Sequence, residues 1–103
     1  MFAKRVRRLV KNLPKSLGNF EDAKQLVRAS GSVGANYIEA NESLSKKDFI
    51  YRIKICRKEA KESRYWLKLL DIQDQDLEAG RGELVKETTE LMKIFGSILQ
   101  KSE

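Results

Sequence analysis

Phe49, Ile53, Cys56, Ala60, Ser63, Leu67 and Leu70 follow one another at steps of 4, 3, 4, 3, 4 and 3. A seam this regular fits an α-helix that lays one narrow stripe along neighbours crossing at about 20°. It does not fit a strand, whose side chains alternate faces with period two. The seam predicts a helix over about 46–70. Ser45-Lys46-Lys47-Asp48 in front of it has the S-x-x-D spacing of a capping box, in which the serine hydroxyl accepts from a free backbone N–H of the first turn.

Three further stripes accompany this helix. Phe2, Val6, Leu9, Val10 and Leu13 predict a short helix over about 2–13, which Pro14 ends by pushing the residue before it out of the α region. Ala23, Leu26, Val27, Ser30, Val33, Gly34, Tyr37, Asn41 and Leu44 predict a helix over about 20–43, with Asn19 as its cap. Leu84, Thr88, Leu91, Phe95 and Ile98, flanked by Val85, Met92 and Leu99, predict a fourth over about 81–101. The stretch Asp71 to Gly82, rich in Asp, Gln and Gly, reads as the one long connection. Long helices joined by short turns lie antiparallel, so the expected fold is all-α, an up-down-up-down antiparallel four-helix bundle occupying 1–103 as a single domain.

The inventory of side chains narrows function. Absence of histidine removes the familiar zinc spacings, the His-based triads and the side chain that most readily shuttles protons near neutral pH. No catalytic residue, cofactor or metal is expected. The pairs Glu39 with Glu42 and Glu59 with Glu62 sit at i,i+3, as in di-iron bundles, but that architecture needs Glu-x-x-His elements. Glu39 and Glu42 are instead expected to pair with bases of the third helix or of another subunit. The one cysteine, Cys56, lies on the seam and reads as a small buried hydrophobe in a reducing, cytoplasmic setting. No segment has the length and apolarity of a signal h-region or a membrane span.

Charge is segregated along the chain. Residues 1–15 carry six bases and no acid, residues 43–70 nine bases against three acids, and residues 71–103 four bases against eight acids. Within the third helix Lys54, Arg57, Lys61, Arg64 and Lys68 step by 3 and 4, a row of roughly 21 Å along one side. Lys54 with Lys58, Arg57 with Lys61 and Arg64 with Lys68 are like-charge i,i+4 neighbours, each costing about 0.2–0.5 kcal/mol, and Lys58 with Glu62 is nearly the only compensating pair. Such a row is either a solvated face partly neutralised by the acidic fourth helix or a contact for phosphates. Lys4, Arg5, Arg7, Arg8 and Lys11 form a second cluster, either a polybasic arm or a solubilising terminus.

Two features bear on packing between helices. The run Ser30-Gly31-Ser32-Val33-Gly34-Ala35 places small residues mid-helix, where each glycine costs about 1 kcal/mol, and close approach of another helix backbone is the simplest compensation. Tyr51, Ile55, Trp66 and Leu69 give the third helix a second apolar face. That face either widens the internal core or serves as an interface for self-association.

The segment SVGANYIEANESLSKKDFIYRIKICRKEAKESRYWLKLLD, Ser32 to Asp71, resembles the four-helix bundle proteins encoded in intervening sequences of bacterial 23S ribosomal RNA genes, and ELMKIFGSIL, Glu90 to Leu99, resembles the end of their fourth helix. Ser32, Asn36, Ile38, Glu39, Asp48, Phe49 and Leu67 stand at the family's motif sites. Gly34 and Ala40 depart from it, where many members have proline and glycine, and Met1 to Leu13 is shorter than the usual aromatic-rich first helix. The resemblance implies a small cytoplasmic bundle that assembles as a ring-like homopentamer, without established catalysis. It extends to the accessory variability determinant of diversity-generating retroelements, a basic pentamer that binds nucleic acid and a reverse transcriptase.

Two functional classes follow. The first is a non-enzymatic oligomeric module whose basic faces contact RNA or DNA, with a reverse-transcriptase-like or other protein as a further partner and no role for a membrane. The second is a purely structural self-assembling protein of mobile-element origin, its bases covered by acids of neighbouring subunits. An acid–base enzyme using Glu39 or Glu59 with Tyr37 or Tyr51 would need a pocket that no motif announces.

Overall fold

Ser45 begins the central helix as its spacing requires, its hydroxyl accepting from the Asp48 N–H at 3.1 Å. In the computed structural model, which describes residues 1–102, four helices run in order: α1 (Phe2–Lys11), α2 (Leu17–Asn41), α3 (Lys46–Leu69) and α4 (Gln75–Ser102). They form the antiparallel all-α bundle. Around it α1 packs on α2 and α4, and α3 packs on α2 and α4, so α1 stands diagonally across from α3. Every residue of the α3 seam from Ile53 to Leu70 is buried, and Phe49 is half-buried.

The core divides into two clusters along a bundle 45 Å long. At one end Phe2, Val6 and Leu9 of α1 meet Leu26, Leu67, Leu70 and Leu84. At the other end Val33, Ala40, Ile53, Cys56, Ala60, Phe95 and Leu99 pack without any contribution from α1. Helix length explains the division. The ten residues of α1 reach about 15 Å, whereas the 25 of α2 reach about 37 Å. One corner of the bundle, between α2 and α4 beyond the start of α1, is therefore open and lined by Val33, Tyr37, Ile38, Leu91, Ile94 and Phe95.

Two helix starts differ from the sequence expectation. α2 begins at Leu17 rather than near 20, because Ser16 caps it through the Asn19 N–H at 3.1 Å. Asn19 is not a cap. It is 4% exposed and its amide clasps the loop after α3: Nδ2 donates to Asp71 O at 2.9 Å and to Pro14 O at 3.1 Å, and Oδ1 accepts from Asp71 N at 2.8 Å. α4 begins at Gln75 rather than near 81. Asp74 caps it, accepting from Asp76 N and Leu77 N, while Asp76 and Glu78 place negative charge on its first turn. Arg81 then bonds to Leu70 O and Glu78, tying this first stretch of α4 to the end of α3. α1 and α2 each end two residues before the sequence expectation, at Lys11 and Asn41.

The small residues of α2 are not compensated by a close helix backbone. A Cβ at Gly31 would meet only the Arg7 guanidinium, at 3.9 Å, and one at Gly34 would meet nothing within 4 Å, since Gly34 borders the open corner. Among the described residues no helix is long and apolar enough to cross a membrane.

Candidate nucleic-acid interface

The basic row of α3 folds against a side of α4 that, among the described residues, turns no countercharge toward it. Lys54, Arg57, Lys58 and Lys61 line a groove of about 650 Å³ whose other wall and floor are Met92, Gly96, Leu99 and Gln100. Among the described residues no carboxylate lines this groove. Among the described residues none of its four cations takes part in an ion pair within 4.0 Å. Arg64 continues the row and is half-buried, donating to Thr89 Oγ1 of α4 at 3.4 Å. Lys68 closes the row in solvent. Among the described residues the acidic fourth helix therefore does not neutralise this row, and Glu78, Glu83 and Glu87 pair elsewhere.

Glu83 and Glu87 go to α1, whereas Glu78 pairs with Arg81 of α4 itself. Arg5 pairs with Glu83 at 3.5 Å and with Glu87, and Arg5 and Arg8 share a shallow groove with Asp76 and Glu83. Arg7 turns back to the Ala3 carbonyl at 3.5 Å, leaving Lys4, Arg8 and Lys11 exposed and without an ion pair among the described residues. Because α1 is diagonal to α3, the N-terminal cluster and the α3 row are not one surface. The structure brings Lys54, Arg57 and Lys61 together, adds Lys58, which the sequence suggested would pair with Glu62, and separates Lys4, Arg5, Arg7, Arg8 and Lys11 from them.

Glu62 pairs instead with Arg28 of α2 at 3.8 Å, and the same guanidinium lies 3.7 Å from Glu59. Glu59 is buried, and its Oε2 has no hydrogen-bond partner among the described residues. Burial pushes its carboxyl above the ordinary range, the neighbouring Glu62 charge adds to this, and Arg28 opposes it. The folded chain thus holds this proton to higher pH than the unfolded chain does, so the group subtracts stability as pH rises through and above the ordinary carboxylate range. Glu59→Gln is expected to raise the melting temperature by a few degrees at neutral pH and to make no difference below the ordinary carboxylate range. Thermal unfolding of both chains from acid to neutral pH measures this.

The other sequence candidates fall in separate places. Glu39 and Glu42 are exposed, with no ion pair to α3 among the described residues. Tyr37 lines the open corner, Tyr51 is exposed on α3, and Glu59 faces Arg28, so these groups do not converge. Cys56 is fully buried, donates to Val33 O at 3.5 Å, and is pushed up to about 11 by burial, as a small core residue should be. Of the second apolar face of α3, Trp66 packs on the first core cluster and Ile55 is half-buried, while Tyr51 and Leu69 are exposed. Asn36 joins α2 to α3: its Nδ2 donates to Ser32 O at 2.9 Å, and its Oδ1 accepts from Arg52 at 3.1 Å, which lies 3.9 Å from Asp48. Three of the motif positions thereby form one polar tie.

Sequence reasoning missed Met92, Gly96 and Leu99 as the groove floor and Tyr65 as an exposed ring beside the cations. The apolar spacing of α4 was visible, but its register against α3 was not.

Comparison with curated proteins finds no match. Among solved structures, the chain is similar to a protein of unknown function from the S23 ribosomal protein family of Bacteroides thetaiotaomicron, with 35% identity over 95% of this chain and 91% of that one and a TM-score of 0.81. A family model described as 23S rRNA-intervening sequence protein matches residues 1–97. The match takes in the α3 seam, the Ser32–Asn36–Arg52–Asp48 tie and most of α4, and the chain belongs to the family of 23S rRNA-intervening sequence proteins.

Proposed function

We propose that this chain is a non-enzymatic, self-associating module that binds nucleic acid through the phosphate backbone, using the α3–α4 groove. One observation carries the reading: Lys54, Arg57, Lys58 and Lys61 surround a concave surface to which no carboxylate of the described residues contributes. Four like charges held this way repel one another, and an external polyanion relieves that repulsion while releasing its own counterions. Nothing in the groove resembles a base-reading element, so affinity is led by charge and carries little sequence preference.

Fluorescence anisotropy with a labelled RNA of mixed sequence tests this as salt is raised. Neutralising four phosphates gives a log–log slope of about −3 for an unpaired strand, a loss of about 50-fold between 50 and 200 mM salt. Replacing Lys54, Arg57, Lys58 and Lys61 together by glutamine is expected to abolish most of that dependence and weaken low-salt binding by at least about 50-fold. Circular dichroism should show the same helix content. Unchanged affinity in the folded variant would sink the assignment.

A specific observation also supports the assembly part of this reading. The open corner leaves Ile38 65% and Ile94 53% exposed, and Leu17 and Phe20 protrude elsewhere at 78% and 62%. A chain that carries both an apolar groove and apolar knobs can join head to tail with copies of itself, and such contacts generate rings where the rotation closes. A second copy is the occupant we assign to the corner.

A further inference from the structure

We infer that the nucleic acid taken by this module is unpaired, with bases seated in two concavities on either side of the Lys58–Lys61 ridge. The inference rests on the binding reading of the same groove and goes beyond it in naming the strand class. On one side of the ridge lies the α3–α4 groove, whose floor of Met92, Gly96 and Leu99 is apolar. On the other lies a second groove of about 610 Å³, where the same two lysines meet Tyr65 and Trp66 beside the Arg28–Glu62 ion pair.

Charge alone does not account for this arrangement. A site built for phosphate needs cations on a surface that the backbone can reach, and a solvated polar floor would serve as well. Here the floor is apolar in one concavity and aromatic in the other. Tyr65 is 58% exposed yet is held in place by Trp66, the two rings meeting edge to face at 5.0 Å and 71°. Trp66 is in turn packed on the core cluster that joins α1 to α3 and α4. An exposed ring fixed from behind, with Lys58 and Lys61 beside it, is a stacking platform next to a phosphate contact, the combination by which proteins hold single strands without reading their sequence. The Arg57 guanidinium over the other groove offers a second planar face.

A duplex gains nothing from either floor, because its base faces are buried in its own stack. An unpaired strand gains from both. Gly96 matters for the same reason: it lies inside the C-terminal part of α4, where glycine is unfavourable, and a Cβ there would meet nothing within 4 Å. The missing side chain is not demanded by packing within the chain, and its absence keeps the groove floor open.

The test uses oligo-uridine, oligo-thymidine and a blunt RNA duplex carrying the same number of phosphates, each titrated by anisotropy against the intact chain, Gly96→Leu and Tyr65→Ala. The intact chain is expected to bind both single strands more tightly than the duplex. Each variant is expected to lose about tenfold on the single strands, with duplex affinity and the salt slope unchanged. Equal binding of single strand and duplex, or losses that are the same on both, would overturn the inference while leaving the charge-led reading intact. Failure of the intact chain to bind any of the three at low salt would overturn both. Leucine at 96 fills open space and improves helix propensity, so a folding defect is not expected from that variant.

Discussion

Asn19→Ala is expected to lower the melting temperature by roughly 10–20 °C, more than any other single polar substitution considered in this chain. The side chain is 4% exposed and makes three hydrogen bonds, two of them to the backbone of Asp71, 52 residues away. It therefore fastens the turn between α1 and α2 to the loop between α3 and α4. Alanine would leave the Asp71 N–H and two carbonyls without their partner. A net loss of about 1 kcal/mol for each bond, partly offset where water reaches Asp71, gives about 2–3 kcal/mol. At about 4–8 °C per kcal/mol for a domain of this size, that is the stated shift. Asn19→Asp sharpens the test: the carboxylate keeps the acceptor for Asp71 N but turns charge toward two carbonyl oxygens, so it should cost at least as much as alanine. Asn12, exposed and bonded only to Arg8 O in its own helix, supplies the control, and Asn12→Ala should shift the midpoint by no more than a few degrees.

Asn19 also shows where the sequence ceased to be legible. An asparagine just before an apolar stripe has the chemistry of a cap, and only the fold reveals that Ser16 had taken that role and that Asp71 lies within reach. The start of α4 failed for a related reason. Asp74-Gln75-Asp76 and the glycines at 80 and 82 have the composition of a loop, but a cap at Asp74 and the bonds of Arg81 to the end of α3 hold the segment helical. Each error has a local part, a cap at Ser16 or Asp74, and a part that lies between segments, Asn19 with Asp71 and Arg81 with Leu70. The features that were legible are local: the α3 seam, the serine cap at Ser45, and the basic row along one side of α3. The partner of that row was not legible, because the row's spacing says nothing about which residues of α4 stand opposite. Lys54 and Gly96 are 42 positions apart, and no pattern within either helix connects them.

The shortness of α1 was also visible, and its consequence leads to the second large effect. Replacing Ile38 and Ile94 together by glutamate is expected to convert an assembled protein into a folded monomer with a light-scattering mass near 11.9 kDa. Both side chains already face solvent in the isolated chain, so the charges cost little there. Against the apolar surface of a second copy they would be buried without a partner, which outweighs the area such a contact could gain. The α3 surface supplies the comparison. Tyr51 and Leu69 are exposed, but they lie 18 residues apart, roughly 27 Å along the helix, and the Trp66 between them is committed to the core. They form two spots, whereas Tyr37, Ile38 and Ile94 border one continuous corner. Tyr51→Ser with Leu69→Ser should therefore leave the mass of the assembly unchanged. The opposite pair of results, monomers from the α3 variant and intact assembly from the corner variant, would move the interface to the outer face of α3. That face is continuous with the cationic ridge, and assembly would then compete with the strand for Lys58 and Lys61. With the interface at the corner, α3 and its two grooves stay exposed in every copy, and a ring would present one cationic ridge per subunit to a single strand.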